Sequence, residues 1–264
     1  MGNDEPKKFQ ISDSSSVTAL DIIIPVYNEG ENIIPVLASL SQSVKTPFRV
    51  MICYDHDEDT TLPVLKNYQP SNFKIALVKN RARGAHEAIM TGFEQSDARA
   101  VLVLPADDIY NAPLIDRMYD QFSQGCDLVV ASRLMKGGCM KGGPWLKSFL
   151  VRAASFTLYG FARIPVTDAS NGFRLFSRRV VDGISIESKR GFAFSLELLV
   201  KCHRLGWRMG EVPASWFERT KGKSRFRLFE WLPQYLRWYF YGFATTYFGR
   251  SSRTVAPKIG EAKS

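Results

Sequence analysis

Short apolar runs alternate with helix-like repeats of apolar and polar positions along the first half of the chain. The apolar runs lie at residues 20–26, 48–53, 73–78, 100–104 and 127–131. Between and after them, apolar residues recur every three or four positions, which predicts helices near 31–43, 60–69, 84–95 and 112–124. Because strands and helices that alternate at this spacing are joined by right-handed crossovers, the pattern predicts an α/β fold with a Rossmann-like, mostly parallel sheet flanked by helices.

The regular alternation stops after residue 131. The second half contains strand-like runs that end near 176 and 212, and helical stretches at 145–162, 194–205 and 228–248. We therefore divide the chain into a flexible arm at 1–18, a main domain at 19–227, an aromatic amphipathic helix at 228–249 and a disordered tail at 250–264.

Polar residues follow the apolar runs at the point where each predicted strand ends. Tyr27-Asn28-Glu29 follows the first run, an Asp-rich segment from Asp55 follows the second, and Asp107-Asp108 follows the fourth. In open parallel sheets, ligands bind beyond the carboxyl ends of the strands. The positions of these residues therefore predict a ligand cleft at one edge of the sheet.

The Asp107-Asp108 pair is the strongest candidate for a metal site. Two adjacent carboxylates repel each other unless a cation neutralises them, and oxygen ligands favour Mg²⁺ or Mn²⁺. The alternative is that the pair caps a helix, because acidic residues are favoured before a helix start. The other acidic loops at the same edge favour the metal.

The two halves of the chain carry opposite charge. Residues 1–130 contain 11 Lys and Arg against 18 Asp and Glu, whereas residues 131–264 contain 24 against 8, within a total net charge of +9. The segment 219–225 holds four cations around Gly222, which suits phosphate oxygens. A solvated basic face or a nucleic-acid contact would use the same residues, but no helix-turn-helix, zinc-finger or RNA-binding signature accompanies them.

The aromatic stretch 228–248 contains four Phe, two Trp and four Tyr. Such residues favour the headgroup layer of a membrane, and the alternative is a core helix packed on the sheet. No stretch of about 18 uncharged apolar residues occurs, so we predict no spanning helix. Cysteines outside any metal or disulfide pattern, and the lack of a signal peptide, lead us to expect a cytoplasmic setting.

Ordered motifs from about residue 20 to 228 give the chain a family resemblance. Ile24-Pro25-Val26-Tyr27-Asn28-Glu29 and Ala106-Asp107-Asp108 resemble the GT-A fold of glycosyltransferase family 2. Later motifs resemble the dolichol- and polyprenol-phosphate hexosyltransferases within that family. They are Val130-Ala131-Ser132-Arg133, Asp168 with Asn171-Gly172-Phe173-Arg174, Glu211-Val212-Pro213, and Arg219 with Gly222-Lys223-Ser224-Arg225.

The resemblance implies a role for each matching residue. Pro25, Tyr27, Glu29 and Asp55 would bind the nucleoside, and Asp107, with Asp108 beside it, would hold the metal near the donor diphosphate. Arg133 and Arg219 would join Asp107 as catalytic residues. Contacts to the donor and acceptor phosphates are further expected from Arg152, Arg174, Ser224 and Arg225. The chain departs from the family at Pro105, where the first Asp of an Asp-x-Asp motif is usual, and at Arg225, where Lys is usual.

The expected activity is inverting transfer of a hexose from GDP-mannose or a UDP-hexose to a polyprenyl or dolichyl phosphate. It would take place at the cytoplasmic face of a membrane, on a peripheral protein with no nucleic-acid partner, and a homo-oligomer is left open. One alternative is a hydroxyl acceptor, which needs a general base such as Asp168. Another is a non-catalytic basic protein that binds membranes or nucleic acid.

Overall fold

The structure is a computed structural model that describes residues 18–70, 72–142, 145–217, 228–248 and 255, without the side chains of residues 147 and 228–231. The predicted arm at 1–18 and tail at 250–264 therefore lie almost wholly outside the described residues, as does the basic segment 219–225.

A seven-stranded sheet forms the centre of the molecule. Its strands are β1 (Leu20–Pro25), β2 (Phe48–Tyr54), β3 (Lys74–Lys79), β4 (Ala100–Val103), β5 (Leu128–Ser132), β7 (Arg174–Ser177) and β8 (Met209–Pro213), in the order β3-β2-β1-β4-β7-β5-β8. All neighbouring pairs are parallel except those of β7, which runs antiparallel between β4 and β5. The predicted α/β class with a mostly parallel sheet is confirmed.

A second, two-stranded sheet was not predicted from the sequence. It pairs β6 (Cys139–Lys141) with β9 (Ser215–Phe217) in parallel. Strands of three residues are too short to show a hydrophobic repeat. Their pairing nevertheless matters, because β9 ends directly before the basic segment.

Eight α-helices surround the sheet among the described residues. They are α1 (Ile33–Ser43), α2 (Thr61–Lys66), α3 (Ala85–Gln95), α4 (Ile115–Ser123), α5 (Trp145–Gly160), α6 (Arg178–Gly183), α7 (Ala193–Leu205) and α8 (Leu228–Tyr247). Short 3-10 turns at Gly30–Asn32 and Ala112–Leu114 precede α1 and α4. All except α6 were predicted, and α6 is only six residues long.

Both faces of the sheet are covered by apolar side chains. Alternate residues of β1 enter different cores: Ile22 and Ile24 join one cluster and Ile23 joins the other. A strand buried on both faces gives a continuous apolar run rather than an alternating one, as seen in the sequence. At Gly92 of α3 an added Cβ would lie 2.7 Å from the Ile23 side chain, so this glycine lets α3 approach the sheet closely.

The strand order places the expected cleft between β1 and β4. From β1 the chain first builds outward through β2 to β3, and then returns to place β4 on the other side of β1. At such a switch point the loops after the two central strands diverge and leave a crevice. The loops that diverge here carry Tyr27-Asn28-Glu29 and Asp107-Asp108.

Helix α8 has one buried face and one exposed face. Trp238 is 1% exposed, and its indole Nε1 donates a 2.8 Å hydrogen bond to the Ser188 Oγ. Phe240, by contrast, is 62% exposed. The alternative of a core helix therefore holds for the buried face of α8, which carries Trp238, and does not hold for the exposed face, which carries Phe240. Within the part of the chain that the structure describes, no helix combines the length and apolar character that crossing a membrane requires.

Candidate active site

The loops that follow β1 and β2 are fastened to each other. The Asn28 backbone N–H donates to Asp59 Oδ2 at 2.9 Å, and Asn28 Oδ1 accepts from the Thr60 N–H at 3.2 Å. The Glu29 N–H donates to Thr61 Oγ1 at 3.1 Å. Asn28 has φ of 54°, a left-handed conformation that Asn tolerates better than most residues. The two loops are therefore joined at the edge of the sheet, and we call the surface formed by residues 25–29 and 55–61 the ledge.

Tyr27 gives this ledge an exposed aromatic ring. The ring lies edge-on to His56, with 5.6 Å between the ring centroids, and Tyr27 is 42% exposed. Pro25 and Glu29 lie beside it and are half-buried. Because His56 after β2 packs edge-on against the Tyr27 ring after β1, the ledge presents a supported aromatic ring of a kind that suits stacking with a nucleobase.

Asp55 connects the ledge to the loop after β3. Its Oδ1 accepts a 2.8 Å hydrogen bond from Asn80 Nδ2, and both carboxylate oxygens accept from the Gly84 N–H at 3.1 and 3.0 Å. Gly84 has φ of 106°, which favours glycine. The half-buried Asp55 thus shapes the side of the ledge, together with Asn80, which the sequence interpretation did not single out.

Asp107 and Asp108 differ in their surroundings. Asp107 is exposed at the carboxyl end of β4, whereas Asp108 is half-buried. Asp108 Oδ1 accepts from the backbone N–H groups of Tyr110 and Asn111 at 3.1 and 3.0 Å, and Oδ2 accepts from Asn111 Nδ2 at 2.7 Å. Burial raises the pKa of Asp108, against these hydrogen bonds, which lower it. Both Asp108 carboxylate oxygens thus accept hydrogen bonds within their own turn, and the metal-ligand role of Asp108 stays a prediction.

Of the two adjacent acids, Asp107 is the exposed one, and it could hold a divalent cation that is shared with a ligand. The described residues include no cluster of three His, Cys, Asp or Glu side chains able to hold a metal. Mg²⁺ usually keeps several waters and takes only one or two protein carboxylates together with substrate phosphates. An exposed carboxylate at the mouth of the cleft meets that requirement.

Arg133 and Asp168 form a forked ion pair on the other side of β4. The Arg133 Nε and Nη2 donate to Asp168 Oδ2 and Oδ1 at 2.7 and 3.0 Å, and the Arg133 backbone N–H donates to Oδ2 at 3.1 Å. The Asp168 side chain is 0% exposed and that of Arg133 is 12% exposed. Burial acts to raise the pKa of Asp168, but the charge and hydrogen bonds of Arg133 outweigh it and hold that pKa below its usual value.

Hydrogen bonds among Glu211, Thr167 and Ser132 stabilise the loop that carries Arg133. Glu211 Oε2 accepts from the backbone N–H and the hydroxyl of Thr167 at 2.8 and 2.9 Å, and the Thr167 hydroxyl lies 2.8 Å from that of Ser132. At Gly138 an added Cβ would lie 2.6 Å from the Ser132 carbonyl oxygen, so this position requires glycine. The sequence analysis named Glu211 only as part of a motif and did not name Gly138, and the structure gives both a supporting role.

Arg174, which is predicted to contact phosphate, is buried in the structure. Its guanidinium is 0% exposed and donates to the backbone carbonyls of Ala169, Asn171 and Ser195. Burial lowers its pKa to about 10. Arg174 therefore joins the loop before β7 to α7 and has no surface with which to meet a ligand. A sequence motif cannot distinguish a buried arginine from an exposed one.

The remaining expected phosphate ligands divide into two groups. Arg152 is exposed on α5. Arg219, Ser224 and Arg225 lie outside the described residues. Phe217, the last described residue before them, packs against Tyr110, with 5.0 Å between the ring centroids. Strand β9 therefore ends beside Tyr110, in the loop that carries Asp107.

Comparison with known proteins gives the chain a family and relatives. The family model described as "Glycosyl transferase family 2" matches residues 21–184. The chain is 23% identical over 222 residues to a "Dolichol-phosphate mannosyltransferase" of Pyrococcus furiosus, covering 81% of this chain and 61% of that protein. It is 26% identical over 212 residues to a "Polyprenol monophosphomannose synthase" of Mycolicibacterium smegmatis, covering 77% and 79%. The chain therefore spans less than two thirds of the Pyrococcus relative's length.

Solved structures with the same fold include glucosyl-3-phosphoglycerate synthase from Mycobacterium tuberculosis. One, in complex with Mn²⁺, UDP-glucose and phosphoglyceric acid, superposes with a TM-score of 0.60 at 17% identity, covering 89% of this chain and 81% of that one. Another, with Mn²⁺, UDP and glucosyl-3-phosphoglycerate, has a TM-score of 0.59 at 15% identity and covers 89% and 82%. At this identity the likeness establishes the fold alone.

Proposed function

This chain belongs to glycosyl transferase family 2, and from that premise we propose that it transfers a hexose from GDP-mannose or a UDP-hexose to a polyprenyl or dolichyl phosphate. The names of its relatives, a dolichol-phosphate mannosyltransferase and a polyprenol monophosphomannose synthase, support this acceptor class. Family membership also removes the alternative of a non-catalytic basic protein.

The observation that carries the lipid acceptor is an exposed apolar surface made by α5 and α8. The two helices lie side by side, joined by a 2.8 Å hydrogen bond between the Thr157 hydroxyl and the Tyr239 hydroxyl. Phe156, which precedes Thr157 on α5, and Phe240, which follows Tyr239 on α8, are exposed by 67% and 62%. Trp145 and Phe149 are also exposed and extend the apolar surface along α5.

An exposed apolar surface of this kind needs a partner. Contiguous exposed apolar residues on a folded protein mark interaction sites, and aromatic rings interspersed with cations suit the headgroup layer of a membrane. Arg152 supplies one such cation on α5. We therefore place the α5–α8 surface on the membrane from which the lipid acceptor comes. The four free cysteines fit the cytoplasmic face, where thiols stay reduced.

The donor would bind across the cleft between β1 and β4. The ledge carrying Tyr27, Pro25, Glu29 and Asp55 would receive the nucleoside, and the diphosphate would extend towards Asp107. Asp107 would hold Mg²⁺ or Mn²⁺ there, and the ion would supply positive charge to stabilise the leaving nucleotide. The Mn²⁺ in the structural neighbours supports a divalent ion but does not choose between the two metals.

The acceptor phosphate would be positioned by arginines and would need no general base. A phosphate monoester is already ionised at neutral pH because its second pKa is near 6. One of its oxygens would form a bond to the anomeric carbon on the side opposite the nucleotide. The bond from that carbon to the diphosphate would break, which inverts the configuration and releases the nucleoside diphosphate. Arg133, oriented by Asp168, would screen the repulsion between the two anions.

The geometry disfavours the alternative of a hydroxyl acceptor activated by Asp168. A general base must reach the proton that it removes. Asp168 is wholly buried, its pKa is lowered, and its oxygens accept hydrogen bonds from Arg133, Ser170 and Asn171. It is therefore neither accessible nor basic enough for that role.

The test is a transfer assay with matched acceptors. Purified protein with Mn²⁺ or Mg²⁺ is given GDP-mannose or UDP-glucose, and a short-chain polyprenyl phosphate, the same polyprenol without phosphate, or phosphoglyceric acid. We expect one donor to yield a hexosyl phosphopolyprenol by mass spectrometry, with no product from the free alcohol. Transfer to a hydroxyl acceptor, with polyprenyl phosphate left unmodified, would overturn the proposal.

A further inference from the structure

Arg174 lies at the ligand edge of the sheet because β7 runs antiparallel to its two neighbours. It is the first residue of β7, and it pairs with Val103, the last residue of β4, and with Val130 of β5. The loops that follow β4 and β5 carry Asp107 and Arg133. A fully buried positive charge therefore lies at the same edge of the sheet as these two residues.

The Arg174 guanidinium holds the loop 168–171 by its backbone carbonyl groups. Nε donates to the Asn171 carbonyl at 2.7 Å, and Nη2 donates to the Ala169 carbonyl at 2.6 Å. Nη1 donates to the carbonyl of Ser195, in the first turn of α7. Because a guanidinium presents its donors in one rigid plane, these contacts hold the loop in a set position against α7.

The Asp168 carboxylate holds the same loop by its N–H groups. Its Oδ1 accepts from the N–H groups of Ser170 and Asn171 at 3.1 and 3.2 Å, and the carboxylate also receives the fork of Arg133. The loop makes a further contact of its own, because Arg133 Nη2 donates to the Ser170 hydroxyl at 2.6 Å. A loop fixed by Arg174 on its carbonyl side thus orients Arg133 on its N–H side.

The cost of burying Arg174 indicates more than packing. Among the described residues Arg174 is 0% exposed and its hydrogen bonds go to backbone carbonyls, with no carboxylate in contact. A buried charge without a contacting counter-ion lowers stability, and an apolar side chain would fill the space at less cost. Such departures from the rules of a stable core are expected at functional sites.

We propose that Arg174 is a positioning residue, which acts through the loop 168–171 and Asp168 to set the direction of the Arg133 guanidinium. Within the part of the chain that the structure describes, Nη1 of Arg133 donates no hydrogen bond, so it is the group left to meet a phosphate. In the proposed function, on which the catalytic part of this inference rests, Arg133 screens the repulsion between acceptor phosphate and donor diphosphate. A displaced loop would turn Nη1 away from them.

Arg178 provides a matched control at the other edge of the sheet. It directly follows β7, and its guanidinium likewise holds backbone carbonyls: Nε donates to Ala98 at 3.1 Å and Nη1 to Ser96 at 2.9 Å. None of these contacts involves the loops at the ligand edge. Arg178→Lys therefore removes an equivalent fork and should leave both Arg133 and hexose transfer unchanged.

The first measurement is the nitrogen–proton NMR signal of the Arg133 Nε–H, identified by its absence from Arg133→Gln. We expect the signal to shift by more than its line width, or to disappear, in Arg174→Lys, because lysine keeps the charge but lacks the planar fork. Arg178→Lys should leave the signal at its wild-type position. An unchanged signal in Arg174→Lys overturns the inference, whether or not the protein transfers hexose.

The second measurement is kcat for transfer to polyprenyl phosphate in a double-variant cycle with Arg133→Gln. Arg174→Lys alone should lower kcat about tenfold, because a small displacement of a catalytic group is costly. Affinity for GDP or UDP, measured by calorimetry, should stay within about twofold of the wild type, since the ledge makes no contact with this loop. In the Arg133→Gln background, Arg174→Lys should lower kcat by less than about twofold. A further tenfold loss there would overturn the inference, because Arg174 would then act on something other than Arg133.

Two further results keep the inference separate from stability and from the proposed function. If Arg174→Lys does not fold, Arg174→Gln, which places no charge in the core, takes its place in both measurements with the same expectations. If the wild type transfers no hexose to polyprenyl phosphate while the Arg133 signal responds as expected, the proposed function fails and the orientation of Arg133 by Arg174 stands.

Discussion

Replacing Asp168 with Asn should lower both the stability of the protein and the rate of hexose transfer, and the two losses can be measured separately. The change keeps the size of the side chain but removes its charge and turns one acceptor oxygen into a donor nitrogen. In the wild type, Asp168 accepts from the Arg133 backbone N–H, Nε and Nη2, and also from the Ser170 N–H and hydroxyl and the Asn171 N–H. One side of the asparagine amide would face donors that it cannot satisfy.

The magnitude follows from the burial of the pair. Asp168 is 0% exposed and Arg133 12% exposed, so the variant leaves the guanidinium charge largely out of water without its counter-ion. Removing one partner of a buried pair costs about 3 to 5 kcal/mol of unfolding free energy. Arg133 would also lose the fork that fixes its orientation. We therefore expect kcat for hexose transfer to fall by about a hundredfold, the effect of removing one oriented charge at the reacting phosphates.

The assay is urea unfolding of the wild type, Asp168→Asn, Arg133→Gln and the double variant. Because the two residues touch, the double variant should be more stable than the sum of the single losses predicts. The pKa of Asp168 is lowered on folding, so its contribution is complete above its ordinary pKa of 3.8 and is lost as the pH falls through the folded value. The stability difference between the wild type and Asp168→Asn should therefore shrink below about pH 4. Additive single losses, or a difference that stays constant in acid, would refute this account.

Two further predictions concern the membrane surface and the Arg133 loop. The double variant Phe156→Ser and Phe240→Ser should keep its fold, because both rings are exposed, but should bind anionic phospholipid vesicles at least about tenfold more weakly. Leu77→Ser, at a comparably exposed position on edge strand β3, is the control, and equal binding by all three proteins in a sedimentation assay would contradict the proposed surface. Gly138→Ala would place a Cβ 2.6 Å from the Ser132 carbonyl and should lower transfer by about tenfold or more through a shift of Arg133. Transfer at the wild-type rate would show that this loop tolerates the displacement.

The sheet, and the polar loops that follow its strands at one edge, could be predicted because their signals are local. Each buried strand is a short apolar run, and each run is followed within a few residues by the polar residues of its loop. Strand connectivity then places those loops together without knowledge of any side-chain contact. The same rule could not predict β6 and β9, because three-residue strands are defined by their pairing partner alone.

The roles of individual charged residues could be predicted only in part. Arg133 and Arg174 are both arginines in motifs beside a strand, yet one forms an ion pair near the surface of the site and the other is buried among backbone carbonyls. Asp107 and Asp108 are neighbours in the sequence, yet only the first is exposed. The difference arises from tertiary packing, because which side of a turn becomes buried depends on segments about a hundred residues away, here Ser215, whose carbonyl accepts a hydrogen bond from the Asn111 side chain.

Pro105 and Asp108 together determine how many carboxylates this chain could offer to a metal ion at the end of β4. Pro105 has no carboxylate where the family usually has one, and the Asp108 carboxylate is engaged in its own turn. One exposed side chain, Asp107, then remains at the end of β4. A single carboxylate holds Mg²⁺ or Mn²⁺ weakly, so most of the coordination shell would come from the donor diphosphate and water. In the proposed function, metal affinity and donor affinity would consequently be coupled, and by linkage each should strengthen the other by the same factor.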